Sequence, residues 1–302
     1  MPSASNVNPA PSTKNPAFLR SMITKRRLRL GSGLILFVFV LTHLTNHALG
    51  LISLEAMEAG QHYFLLAWRN PVGTTLFLGA LLVHMMFALH SVYTRRRLKM
   101  SIGEALQLIL GFAAPVLLVS HILGTRAAMQ SFGTTDTYTY VLMAIWVDNP
   151  MSGIRQTAAT LVVWVHACIG IYYWLRLKPW FARSLPWLYG LALLVPVLGL
   201  LGFAAAGRTV GRILADDPGI RLDIQIDTNA PTAEQIEFLH LLEAQILLGL
   251  AALLLLTLFA RGIRLHLERR RGIVRIRYPE GRNISVPPGT TILEASQLND
   301  IP

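Results

Sequence analysis

The sequence contains a single cysteine, Cys168, in 302 residues. That excludes a disulfide framework and any four-thiolate metal site within the chain, and it leaves the redox compartment unread. Charge is scarce as well: 14% of residues are charged while 53% are hydrophobic, and the mean hydropathy is positive. A soluble domain of this length needs far more charge to cover its surface, so the composition points to a membrane protein. Acids are scarcer than bases, 16 against 27, for a net charge of +11. The bases do not form a general coat of the kind that would bind nucleic acid. They sit in short blocks beside apolar segments, as they do where a membrane protein marks its cytoplasmic side. The start, Met1 to Asn15, is rich in Pro, Ser and Asn, and lacks the apolar stretch and small-residue cleavage site of a signal peptide. It reads as a flexible tail.

What the chain does have is six apolar segments near the roughly 20 helical residues that cross a bilayer. They run over Leu30–Leu54, Val72–Tyr93, Glu104–Arg126, Ile154–Leu175, Leu185–Ala206 and Phe238–Phe259. The fold class this implies is all-α integral membrane, with six transmembrane helices. Basic blocks stand before the first span (Lys25, Arg26, Arg27, Arg29), between the second and third (Arg95, Arg96, Arg97, Lys99), between the fourth and fifth (Arg176, Lys178, Arg183) and after the sixth (Arg261, Arg264, Arg269, Arg270, Arg271). The other three loops hold most of the acids, among them Glu55, Glu58, Asp136, Asp148, Asp216 and Asp217. All four blocks agree in placing both termini in the cytoplasm.

Residues 1–29 therefore read as a cytoplasmic tail, 30–262 as the membrane domain and 263–302 as a cytoplasmic linker and a further segment. In that segment, alternating apolar residues over Ile273–Arg282 and Asn283–Thr291 flank the Glu280-Gly281 turn of a hairpin. Thr291 caps a short helix starting at Ile292. This is too little to fold alone, and stopping at Pro302 reads as a fragment of a longer chain.

Nine histidines are present, and four lie inside spans: His43 in the first, His84 in the second, His121 in the third and His166 in the fourth. An imidazole in hydrocarbon must bond to something, so each is a site candidate, with a hydrogen bond to a neighbouring helix as the other reading. Depth separates the two. His84 precedes Arg95 by 11 residues and His166 precedes Arg176 by 10, which puts both about 15 Å from the cytoplasmic side. His43 and His121, on helices running the opposite way, fall roughly 20–25 Å in. Two histidine pairs at two depths suit two stacked haems, each iron held axially by one imidazole from each of two helices. Zinc would use imidazoles at one depth with a carboxylate or thiolate, and a copper site for dioxygen would use more histidines at one level. Ala88 follows His84 by one turn and Gly170 follows His166, leaving gaps for a flat macrocycle.

His47, one turn beyond His43 and beside Asn46, reads either as a haem propionate or quinone contact or as a polar group reaching the interface. Arg126 has the better claim on a propionate, because guanidinium binds carboxylate bidentately. His62, His90, His240 and His266 read as solvated or interfacial. Trp146, Trp164, Trp174, Trp180 and Trp187 read mostly as an interfacial belt.

Thr42-His43-Leu44 with Asn46 and His47, the run from His84 to Leu89, His121-Ile-Leu-Gly-Thr-Arg126 and the run from His166 to Ile171 resemble the four-histidine signature of dihaem cytochrome b anchors of bacterial succinate:quinone oxidoreductases. The resemblance covers about residues 30–180. It implies a four-helix dihaem bundle with one b haem on His43 and His121 and the other on His84 and His166, and quinone as redox partner. Six spans instead of five depart from that family. The segment from Ile273 to Gln297 resembles the opening of a plant-type [2Fe–2S] ferredoxin domain, whose fold is a β-grasp. Its cluster-binding cysteines would follow Pro302, so a cluster belongs only to a longer parent protein. The combination resembles the membrane part of redox-regulated bacterial class III adenylate cyclases. By that resemblance the chain is a multi-pass protein of the bacterial inner membrane, sensing quinone redox state and regulating a C-terminal cyclase that makes cAMP from ATP. The chain itself carries no catalytic domain and no catalytic residue; a homodimer is compatible with it. The alternative is an electron-transferring cytochrome b subunit of a quinone oxidoreductase. In the sensor reading the signal runs through the fifth and sixth helices, where Pro196, Gly199 and Gly202 allow bending and Gly249 close packing.

Overall fold

The computed structural model describes residues 16–270, 272–278, 281–287, 290, 292–299 and 301. The tail over Met1–Asn15, the turn position Glu280 and the cap Thr291 lie outside the described residues. Eleven helices and two strands follow in order among those described: α1 (Pro16–Ala48), α2 (Leu54–Trp68), α3 (Pro71–Thr94), α4 (Ile102–Ile122), α5 (Ala128–Phe132), α6 (Tyr138–Leu142), α7 (Pro150–Leu175), α8 (Phe181–Asp216), α9 (Ile220–Asp227), α10 (Ala233–Arg270), β1 (Val274–Arg277), β2 (Asn283–Val286) and α11 (Ile292–Leu298). Six helical stretches are long and apolar enough to cross a membrane: Thr24–Leu51, Pro71–Thr94, Ile102–Phe132, Pro150–Leu175, Phe181–Asp216 and Ala233–Arg270. These are the six spans expected, and the chain is a multi-pass, mostly helical membrane protein.

The departures lie at the ends. α1 starts ahead of Lys25, so the first basic block is part of the helix and not a preceding loop. α8 runs to Asp216 and α10 to Arg270, each about ten residues past its apolar stretch, since nothing in the polar continuation stops a helix whose backbone bonds are already propagating. The first acidic loop is itself a helix, α2, started by Ser53, whose hydroxyl accepts from the Ala56 amide at 3.1 Å. Two π-helical turns, Leu123–Ala127 and Met143–Asp148, adjoin α4 and α6. Such turns concentrate at functional sites.

The chain divides into two compact units. The first joins residues 16–87 with 137–225 and is built where α1 meets α8. A side chain on Gly199 would meet the Leu44 carbonyl at 3.1 Å, and one on Gly202 would strike the His47 carbonyl. These two glycines are contact points between backbones. Beside them Leu54, Met57, Tyr138, Leu142, Met143, Phe203, Ala206 and Val210 form the main buried cluster.

The second unit joins residues 88–136 with 226–302. Val119, Leu123 and Ala128 of the third span pack with Leu239 of α10. The expected hairpin is present, with β1 and β2 antiparallel, Val274 opposite Val286 and Arg277 opposite Asn283. Gly281, with φ 79°, sits in the left-handed region its turn requires. The short helix expected at Ile292 is α11. A side chain on Gly249 would meet nothing within 4 Å, so the close packing expected there is not found: its side of α10 faces no neighbour among the described residues.

Candidate functional site

The histidine site is built on helices of the first unit. His84 lies on α3 and His166 on α7, both partly buried, and their imidazoles stand with centroids 6.1 Å apart and planes at 89°. α1 supplies the seat for His84. A side chain on Gly33 would meet the His84 ring at 3.2 Å, so only glycine leaves the ring room without displacing it. Next to it, buried Ser32 is 5% exposed. Its hydroxyl donates to the Arg29 carbonyl at 3.1 Å and lies 3.5 Å from His84 Nδ1. Either group can donate in that contact, so Ser32 stands beside the His84 ring as a hydrogen-bonding neighbour. The sequence reading missed Ser32 and Gly33, since neither is remarkable until α1 is laid against α3.

His43, one helix over on α1, packs against Phe39, Phe64 and His47, with the His43 and His47 centroids 4.5 Å apart. Of the two readings of His47, the polar group reaching the interface is not what the fold shows. It is 4% exposed, stacked on Phe203 at 5.3 Å and edge-on to Tyr138 at 5.6 Å. Asn46 beside it donates to the Tyr138 hydroxyl at 2.8 Å and to the Met57 carbonyl at 3.3 Å. Both are core residues because α2 and α6 cover the end of α1, which no hydropathy profile records.

His121 and Arg126 belong to the second unit. His121 is on the last turn of α4, where its carbonyl accepts from Thr125 Oγ1 at 2.7 Å, and Arg126 is in the π turn that follows. His62, His90, His240 and His266 are exposed, as read.

The tryptophans divide. Trp180 and Trp187 are 48% and 80% exposed and suit an interfacial belt. Trp164 does not. It is 4% exposed and donates to the Ala192 carbonyl of α8 at 2.7 Å. Trp146 packs where side chains on Gly153 and Gly207 would collide with it. Trp164 is a core residue and Trp146 a partly buried one packed against the main cluster, where Gly153 and Gly207 leave room for its indole.

Among the described residues no group of three or more His, Cys, Asp and Glu side chains could hold a metal ion. The arrangement is one of pairs. No family model, no curated protein and no solved structure matches the chain.

Proposed function

We propose that the chain is a dihaem-b membrane anchor that senses quinone redox state and regulates C-terminal domains, an adenylate cyclase in its parent protein. The observation that carries this reading is the separation of His84 and His166. An ion held between two imidazoles by bonds of about 2 Å, with the nitrogen-to-centre distance added at both ends, calls for centroids about 6 Å apart; the pair stands at 6.1 Å. A direct hydrogen bond between the rings would draw the centroids to about 5 Å. An edge-to-face ring contact also spans this range, and the haem count decides between the two.

His84 and His166 would hold one b haem, and the family resemblance gives the other to His43 and His121. When bound, the haems supply one-electron carriers exchanging with membrane quinone. The chain's own residues do the positioning: Ser32 stands beside His84 Nδ1, Gly33 clears its ring, and Phe39, Phe64 and His47 flank His43. Arg126 is assigned to a propionate by its guanidinium, and His47 to the surroundings of His43. The basic blocks support cytoplasmic termini in a bacterial plasma membrane. The hairpin and α11 support a ferredoxin-like reading of the segment over 273–297.

A pyridine haemochrome assay on the purified chain should find two b haems. His84→Ala and His166→Ala should each remove one haem and leave the other. One haem or none in the wild-type chain overturns the reading.

A further inference from the structure

The expected route from the histidines to the C-terminal segment ran through the fifth and sixth helices. The continuous helix α3, which carries His84, offers a shorter one. The chain leaves α3 through Tyr93, Thr94, Arg95 and Arg96, whose carbonyls are among those a helix end leaves without intrahelical partners. Two arginines of α10 satisfy them. Arg261 donates to the carbonyls of Arg95 and Arg96 at 2.9 and 3.1 Å, and Arg264 to those of Tyr93 and Thr94 at 3.0 and 3.1 Å. Arg264 also lies over the Tyr93 ring at 5.3 Å. The end of α3 is thereby tied to α10 by bonds that need its terminal carbonyls in one arrangement.

Arg96 then reaches the C-terminal segment itself. Its guanidinium donates to Thr290 Oγ1 at 2.8 Å and pairs with Glu294 of α11 at 3.4 Å and with Glu268 of α10 at 3.3 Å. Glu268 is held in turn by Arg264 at 2.7 Å. The Arg96 side chain is 13% exposed and that of Glu268 18%, so the cluster is screened by salt far less than surface pairs are. One planar fork thus bridges the end of α3, the end of α10 and the start of α11, which a lysine in its place would not do. The segment it holds is a two-stranded hairpin with a seven-residue helix, and these contacts dock it.

We propose that Arg96 is the latch that docks the C-terminal segment onto the end of α3, and that α3, the helix carrying His84, is the route by which a change at the paired histidines reaches that segment. The docking stands on the contacts above. Its use as a signal route rests on the proposed sensor function.

Hydrogen–deuterium exchange on the full chain in nanodiscs separates these two statements. Arg96→Gln should raise amide exchange over residues 283–299 about tenfold, while Arg97→Gln, at its exposed neighbour, should leave it unchanged. Glu294→Gln alters the segment side alone and should also raise it, which keeps the test decisive if Arg96→Gln fails to fold. Unchanged exchange in Glu294→Gln and in a folded Arg96→Gln overturns the latch. For the route, dithionite-reduced and oxidised wild-type protein should differ over 283–299, and Arg96→Gln should abolish that difference. A redox difference that survives Arg96→Gln overturns the route through α3 and returns the signal to α8 and α10. Two haems that titrate with no exchange difference in the wild type overturn the sensor reading and leave the latch standing.

Discussion

α8 and α10 are almost equally apolar, with mean hydropathies of 2.2 and 2.3 over their richest stretches, yet 22% of that stretch is buried in α8 and none of it in α10. The difference lies in side-chain size along one face. α8 presents Gly199, Gly202 and Ala206, three and four residues apart, and its backbone closes on α1 until the Gly202 and His47 main chains touch. α10 packs through Leu239, which is buried, and through the bulkier-faced Leu242, Ile246 and Leu250, which stay partly covered. Hydrophobicity puts a helix in the membrane. In lipid it does not choose the helix's neighbour, because the tails are as apolar as leucine.

Substitutions at two glycines test this contrast most strongly. Gly202→Leu places a side chain against a carbonyl that cannot move without unwinding α1, and should cost about 3 kcal/mol in thermal unfolding in detergent. Gly249→Leu, facing open space, should stay within about 0.5 kcal/mol of wild type. Equal losses at both positions would mean that the α1–α8 contact is not what orders this region.

Asn46→Leu asks whether polar bonds or shape hold the same region. It leaves the buried Tyr138 hydroxyl without its 2.8 Å partner, and a loss of about 2 kcal/mol is expected. A smaller loss still, about 1 kcal/mol, should follow Ser53→Ala, which removes the cap of α2 over that core. The smallest effect concerns pH. Burial first, and then the Asp148 carboxylate, raise the Tyr140 phenol above its ordinary value. The unfolded chain therefore releases this proton before the folded one does, so Tyr140 leaves stability unchanged below about pH 10 and lowers it as pH rises beyond that. Tyr140→Phe should flatten that fall in a pH series of melting curves.

Much of the fold was legible in the residues. Six spans, four exposed histidines, the hairpin over 274–286 and the helix after it all follow from runs, periods and turn residues, which are local properties. The histidines were legible as intramembrane groups, and the pairing of His84 with His166 in space agrees with counting each from its nearest basic block. The misreadings share one cause. Trp146 and Trp164, like His47 in the interfacial one of its two readings, lie near span ends in sequence, where an interface is the ordinary explanation. Their burial comes from α2, α6 and α8 covering them, and those are partners chosen by shape.

By itself the sequence determined which segments are membrane helices, where their basic ends lie and which imidazoles sit among apolar residues, because each depends on the sum of transfer energies along one stretch of chain. Only the tertiary structure decided that Gly199 and Gly202 are contact points while Gly249 is not, that Ser32 stands beside His84, and that Arg96 reaches Glu268 and Glu294. Each of these depends on an atom contributed by another element, at a distance that no spacing along the chain encodes.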